Sequence, residues 1–553
     1  VIQLPATDVV IIGGGWSGLL MAKELTSRSS QRVIVLERGK PRNPKEYIEG
    51  MDELDYAFRY RMMQDVAKET ITFRNSTKQA SLPVRQFGGF LPGDGVGGAG
   101  EHWNGLTPRF LPDVFEMHKS TVERYGKSRL PEGSTIQDWG ITYKEIEPFY
   151  LAAERLLGIS GQDGDPMSAP RSAPFPTPAI KQTYFGKLFS EAAASLGYHP
   201  YPAPSANLSQ TYRNPDGVIR PACQYCGYCE RFGCMVGAKA QPTNTLLPVL
   251  SKRNNFTLKA NAQVRRIHTV DQKATGVSYV SNGKEYFQPA EKVILASWTL
   301  NNTRLLLLSK IGNANTGRNL THQVYGAGAT LFFKQPLNRF MGSGTANVTV
   351  SDFDGDNFDH SELDFIRGGY ISSPAFGARP IANFGAVPSS VKSNWGSEWK
   401  KAALAAYDYT GRIGSSGEHI PYSTNFMDLD PTYTDHLGDP LLRLTLEWND
   451  NEKRIYNFIN SKVETIAKRL PVSSYTMAAP LKRYDVMNYK STHIQGGTIM
   501  GADPATSVVS PKGQHWQVPN LYVLGASTFP QNPSGNPTLT VLAVTLMVAR
   551  SLA

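Results

Sequence analysis

The sequence predicts an α/β protein in which a parallel-sheet, nucleotide-binding domain carries an inserted α+β domain with an antiparallel sheet. Three observations predict it. The N-terminus reads strand, glycine-rich turn, helix, strand. The C-terminus reads short apolar strand, loop, helix. Residues 330–480 alternate strand-like runs with Gly, Asp and Asn punctuation, as antiparallel strands joined by turns do.

The first element is the apolar run Asp8 to Ile12, suited to a buried parallel strand. Gly13-Gly14-Gly15-Trp16-Ser17-Gly18 follows, and helical periodicity runs from Ser17 to Thr26. A second strand, Arg32 to Leu36, ends at Glu37, nineteen positions after Gly18. This is the G-x-G-x-x-G βαβ unit of a Rossmann-like fold. Gly13 permits the tight turn, Gly15 lets backbone approach a pyrophosphate, and Gly18 lets the helix pack on the strand. The helix N-terminus favours phosphate charge, and Glu37 binds the ribose hydroxyls.

Further along, Asp52 to Ala67 reads as a helix, and residues 160–220, rich in Pro, Ser and Ala, as an extended excursion. Strands are expected at Phe256 to Leu258, Glu291 to Ala296 and Leu521 to Leu524, and Pro537 opens a terminal helix. The expected division assigns 1–44, 86–110, 220–329 and 485–553 to the cofactor-binding domain, with a cysteine loop at 221–236. Residues 45–85 form an excursion over the cofactor, and 111–219 with 330–484 form the substrate domain and extended segments.

The 553 residues are enough for a large buried core. Lys and Arg outnumber Asp and Glu by 57 to 47, but charged residues are only 19% and form no concentrated basic run. That excludes a dedicated nucleic-acid binder. No apolar stretch reaches the roughly 18 residues of a membrane span. The chain starts at Val1 without a signal-peptide pattern, so a leader has either been removed or never existed.

All four cysteines, Cys223, Cys226, Cys229 and Cys234, fall in one twelve-residue window as C-x2-C-x2-C-x4-C. Such spacing wraps an inorganic cluster from a single loop, close to the ferredoxin pattern. Zinc and a pair of local disulfides are the alternatives. Spacing leaves open whether three or four cysteines ligate, and so whether the cluster has three or four irons. A second glycine-rich run, Gly95 to Gly105, contains Gly98, His102, Trp103 and Asn104. It offers backbone N–H groups against which a flat cofactor can lie. The third constellation joins Thr492-His493-Ile494-Gln495-Gly496-Gly497 with Ser534-Gly535-Asn536-Pro537-Thr538.

Together these motifs, with the Val293–Leu308 strand and helix and the Gly317-Arg318-Asn319-Leu320 turn, resemble the GMC (glucose–methanol–choline) oxidoreductases. Within that family the cysteine motif and the His102 run look most like the gluconate-dehydrogenase flavoprotein group. The resemblance implies FAD as cofactor, with contacts that include Val264, Ala526, Pro537 and Thr538. The Gly-Gly-x-x-x-His-Trp pattern makes His102 a candidate covalent flavin link. His493 is implied as general base and Asn536 as its partner, with His322, after the Gly-Arg-Asn-Leu turn, the next candidate base. An imidazole suits this role because it titrates near working pH. The implied reaction oxidises a secondary alcohol of a sugar acid or sugar, gluconate to 2-ketogluconate first; fructose, glucose, sorbitol and 2-ketogluconate are the alternative substrates. The resemblance further implies a 3Fe-4S cluster, with 4Fe-4S the alternative. It also implies a multihaem cytochrome c subunit, a small subunit bearing the export signal, and a peripheral place on the periplasmic side of the inner membrane. An oxygen-using carbohydrate oxidase or a non-enzymatic electron carrier are the rival readings.

Overall fold

The computed structural model describes residues 1–47, 52–86, 90–375, 379–488 and 491–552. The N-terminal unit forms as the sequence predicts: strand Thr7–Ile12, helix Trp16–Arg28, strand Val33–Leu36. Val9, Val10 and Ile11 are fully buried because both faces of the parallel sheet are covered. Strand Phe256–Lys259 pairs in parallel with Val33–Leu36. The strand expected at Glu291 to Ala296 is longer, Lys284–Leu295. Its last residues pair in parallel with Thr7–Ile12 on one side and Leu521–Val523 on the other. Its first half pairs antiparallel with Lys273–Ser281, which pairs with Gln263–Val270.

The register matters for the site. Ile12 lies opposite Leu36 and Leu295, and Leu295 opposite Val523. Several strands therefore end at one edge, where open α/β sheets bind ligands. The terminal helix, Thr538–Leu552, starts one residue after Pro537 and packs on helices Trp16–Arg28 and Tyr143–Leu157.

The second sheet is antiparallel in every pairing, in the order Val472–Met477, Val324–Phe333, Thr410–Gly417, Gly369–Ser373, Val348–Val350, Pro200–Pro202. Helix Asp450–Ala467 covers it with Ile455, Ile459 and Val463. Strand Val324–Phe333 crosses the 329/330 boundary expected from the sequence, because its hydrogen bonds continue unbroken into the antiparallel ladder. A smaller sheet joins Ile71–Arg74 and Leu82–Pro83 to Phe426–Thr434 and Pro440–Thr445.

Two expectations are corrected. The helix expected over Asp52–Ala67 is a single π-helical turn, Leu54–Phe58, followed by turns. Tyr60 is left-handed at φ 54° and Met63 bridges to Gly93. Tyr56, Ala57 and Met62 of this stretch surround Phe232 in a satellite cluster. The excursion 160–220 is not wholly extended. It contains helix Tyr184–Ala194, whose Thr183 cap accepts the Gly186 N–H at 3.0 Å and which buries Phe185 and Phe189.

Candidate functional site

A cavity of about 800 Å³ opens at the carboxyl edge of the parallel strands and extends to the antiparallel sheet. Gly13, Gly15, Glu37, Gly98, His102, Trp103, Asn104, Val264, Ala526, Pro537 and Thr538 line it, and so do His493 and Asn536. Gly18 does not line it; its work is packing.

The glycines act as the spacing implies. Gly13 has φ 107°, and a Cβ there would fall 2.5 Å from the Ala296 carbonyl oxygen. A Cβ on Gly18 would fall 1.9 Å from the Gly13 oxygen, so only glycine lets this helix sit on its turn. Gly15 and Gly98 face each other across the cradle; a Cβ on Gly98 would lie 3.6 Å from the Gly15 Cα. Bare backbone and the N-terminus of helix Trp16–Arg28 thus face the cavity, as a pyrophosphate requires. Glu37 accepts the N–H groups of Gly14 and Gly39, both at 2.8 Å. Burial pushes its carboxyl up and those two N–H donors pull it back.

His102 is held from both sides. Its N–H donates to Ala99 O at 3.2 Å, and its carbonyl accepts the Arg231 N–H at 2.6 Å. The neighbouring Glu101 carboxylate is fully buried and accepts from Tyr47 Oη, Gln241 Nε2 and Thr243 Oγ1, each at 2.8 Å. Nε2 of His102 is buried without a hydrogen-bond partner. Burial, then the Lys239 and Arg42 charges, push its pKa down to about 3. An unpartnered nitrogen at the cavity wall is a polar atom that a bound group would satisfy. The cradle therefore fits FAD, and the orphaned nitrogen fits a bond to it. Trp103 donates to Ala240 O at 2.8 Å and packs edge-on against Trp16. Asn104 accepts the Leu106 N–H at 3.0 Å.

His493 and Asn536, forty-three residues apart, meet: Asn536 Nδ2 lies 3.0 Å from His493 Nε2. His493 Nδ1 lies 2.7 Å from Gln323 Oε1. Burial drives the His493 pKa down to about 3, with His322 contributing in the same direction. Its two ring partners are uncharged amides, so no neighbouring opposite charge offsets the burial, and the shift runs away from the near-neutral titration expected of a histidine. His322 is not placed to act as an alternative base. Its Nε2 donates to Ser491 O at 2.7 Å, its Nδ1 is 2.8 Å from Tyr484 Oη, and it does not line the cavity.

The cysteine loop contributes Glu230 and Arg231 to the cavity wall, whereas its four cysteines do not line the cavity. All four cysteines are free thiols in this structure. Cys229 Sγ accepts the Gly344 N–H at 3.3 Å, Cys223 the Tyr225 N–H at 3.4 Å and Cys234 the Lys239 N–H at 3.5 Å. Burial pushes the Cys229 thiol up to about 12. Among the described residues no group of three or more His, Cys, Asp or Glu side chains is arranged to hold a metal ion. The N–H donors on three of the sulfurs would suit thiolate ligands of zinc and of an iron–sulfur cluster alike. Lys239, fully buried, donates to the carbonyls of Trp103, Cys229 and Phe232 at 2.6, 2.8 and 2.8 Å, tying the His102 segment to the cysteine loop.

Sequence reasoning missed Gln323, Lys239 and Glu101, and also the arginines Arg231, Arg379 and Arg412 that line the cavity near Glu230. None lies in a motif that signals its role; Gln323 is marked only by following the Gly-Arg-Asn-Leu turn.

Comparison with known proteins agrees with this geometry. Two family models, both described as GMC oxidoreductase, match residues 182–325 and 421–545. The gluconate 2-dehydrogenase flavoprotein of Pantoea cypripedii is 40% identical, over 100% of this chain and 94% of its own. The fructose dehydrogenase large subunit of Gluconobacter japonicus is 26% identical over 99% of this chain and 98% of its own. Among solved structures, pyridoxine 4-oxidase from Mesorbium loti superposes with a TM-score of 0.65 at 17% identity, covering 99% of each chain, a likeness of fold alone.

Proposed function

This chain belongs to the GMC oxidoreductase family, flavoprotein dehydrogenases acting on CH–OH groups, and we propose that it oxidises a secondary alcohol of a sugar acid, gluconate to 2-ketogluconate. The observation that carries the reading is the His493–Asn536 pair, 3.0 Å apart on the wall of the cavity that fits FAD. The substrate class is supported by the 40% identity to a gluconate 2-dehydrogenase flavoprotein.

Gly13, Gly15, Glu37, Gly98, Trp103, Asn104, Val264, Ala526, Pro537 and Thr538 would hold FAD, with His102 Nε2 as its covalent anchor. Bound there, FAD supplies the acceptor for the hydride of the C–H bond. His493, neutral, takes the hydroxyl proton at Nε2. The Asn536 amide steers the substrate oxygen to that nitrogen. Cys223, Cys226, Cys229 and Cys234 would hold an iron–sulfur cluster, three-iron favoured, whose chemistry is one-electron transfer to an outside acceptor. The thiols, their N–H donors and their position next to the His102 segment support that assignment. The proposal includes a multihaem cytochrome c subunit as acceptor and a small subunit bearing the export signal, on the periplasmic side of the inner membrane. These partners rest on the family resemblance. No described helix is long and apolar enough to cross a membrane.

The test is anaerobic flavin reduction with gluconate, 2-ketogluconate, glucose, fructose and sorbitol. Gluconate should bleach the flavin fastest. Reduction by a neutral sugar and none by gluconate would overturn the substrate assignment. Rapid oxygen consumption without a mediator would favour an oxidase instead.

A further inference from the structure

We infer that Gln323 is a positioning residue that fixes the tautomer of His493 and so decides which ring nitrogen receives the substrate proton. The inference rests on His493 being the base and adds what makes it one.

The argument starts from the amide. Gln323 is fully buried and does not line the cavity. Its nitrogen lies 2.6 Å from Pro533 O and 3.0 Å from Gly535 O. Carbonyl oxygens only accept, so both contacts require the NH₂ group at that end. The amide cannot flip without setting its oxygen against two carbonyls. Oε1 must therefore face the other way, toward Ser416 Oγ at 3.0 Å and His493 Nδ1 at 2.7 Å. An amide oxygen has no proton to give, so His493 Nδ1 is the donor. In a neutral imidazole the lone pair is then on Nε2, the nitrogen that lies 3.0 Å from Asn536 on the cavity side.

The carbonyls that orient Gln323 belong to the segment that carries Asn536. One buried side chain thus clamps the base, the partner loop and the antiparallel strand Thr410–Gly417 into one arrangement. The same contact has a consequence in the reaction. When Nε2 takes the hydroxyl proton the ring becomes an imidazolium, and Oε1 is already placed on its Nδ1–H. This is the role of the third member of a catalytic triad. Here it is filled by a neutral group, which leaves the resting pKa low.

Two substitutions test it, using whichever sugar of the panel reduces the flavin. Gln323→Met keeps the length and removes both the donor and the acceptor. Flavin reduction should slow by about 10²-fold, the scale of a misplaced catalytic group, with flavin content and substrate dissociation constant near wild type. Gln323→Glu keeps an oxygen on Nδ1–H, and its second oxygen, facing the carbonyls of Pro533 and Gly535, must carry a proton to donate to them. It should therefore restore most of the rate that the Met variant loses. The inference is overturned by a Met variant that reduces flavin at the wild-type rate, or by a Glu variant as slow as the Met variant. Loss of flavin from both variants in proportion to activity would make the residue structural and overturn it equally. His493→Ala separates this from the reading beneath it. If that variant keeps the wild-type rate, the assignment of the base fails. If it is slow while the Gln323 variants are normal, only the present inference fails.

Discussion

A drop in pH is the most direct perturbation of the proposed base. An ordinary histidine titrates near 6.5, but burial between two uncharged amides holds His493 at about 3. The sign follows. The pKa is depressed, so the neutral form that can accept a proton persists from high pH down to about 3. At pH 5 an ordinary histidine is about 97% protonated, whereas a group at about 3 is about 1% protonated. The available base differs by about 30-fold between the two cases. The assay is stopped-flow anaerobic flavin reduction from pH 8 to 4.5, analysed as kcat/KM, which reports the free enzyme. The flavin spectrum is followed in parallel to exclude unfolding. We expect less than a twofold change between pH 7 and 5 on account of His493. A tenfold fall per pH unit below 6.5, with the spectrum intact, would refute the reasoning. The same shift bears on stability. The unfolded chain protonates this residue below about 6.5 and the folded chain does not, so its stability contribution is lost as pH falls from 6.5 toward 3.

His493→Ala should cut flavin reduction by about 10²–10⁴-fold, the range of a positioned general base, while substrate binding and the flavin spectrum stay near wild type. In acid precipitation the flavin should stay with the wild-type protein and appear in the supernatant of His102→Ala; free FAD from the wild type would remove the covalent link. Cys229→Ser should leave substrate reduction of the flavin intact and slow re-oxidation by an electron acceptor. Equal slowing of both half-reactions, or purified protein without iron and sulfide, counts against the cluster. Gly18→Ala places a methyl 1.9 Å from the Gly13 oxygen. It should destabilise the protein by about 1–3 kcal/mol or more and weaken FAD retention; urea unfolding and flavin content that match wild type would show the helix can shift without harm.

The cradle was legible because its signals are local. A buried strand, a turn that excludes Cβ and a helix start all lie within residues 8–37, and Gly13 and Gly18 meet the contacts that their spacing implies. The four cysteines were equally plain, since one short window holds them all. His493 and Asn536 were found only through resemblance, because nothing in either loop distinguishes a catalytic residue from a structural one. Helix Tyr143–Leu157 is announced locally by a capping box, Thr142 with Glu145. Elsewhere tertiary contacts overrode local pattern. Over Asp52–Ala67 only a π-helical turn, Leu54–Phe58, forms, and Tyr56, Ala57 and Met62 pack around Phe232 brought in from the cysteine loop. Strand Pro200–Pro202 gains its place only by pairing with Val348–Val350. The chemistry of His493 was the least legible of all. Its tautomer depends on Gln323, whose amide is oriented by Pro533 and Gly535, and its lowered pKa on burial beside His322. Sequence periodicity speaks for neighbours within a turn or a strand. Hydrogen-bond direction and desolvation are sums over groups that only the folded chain brings together.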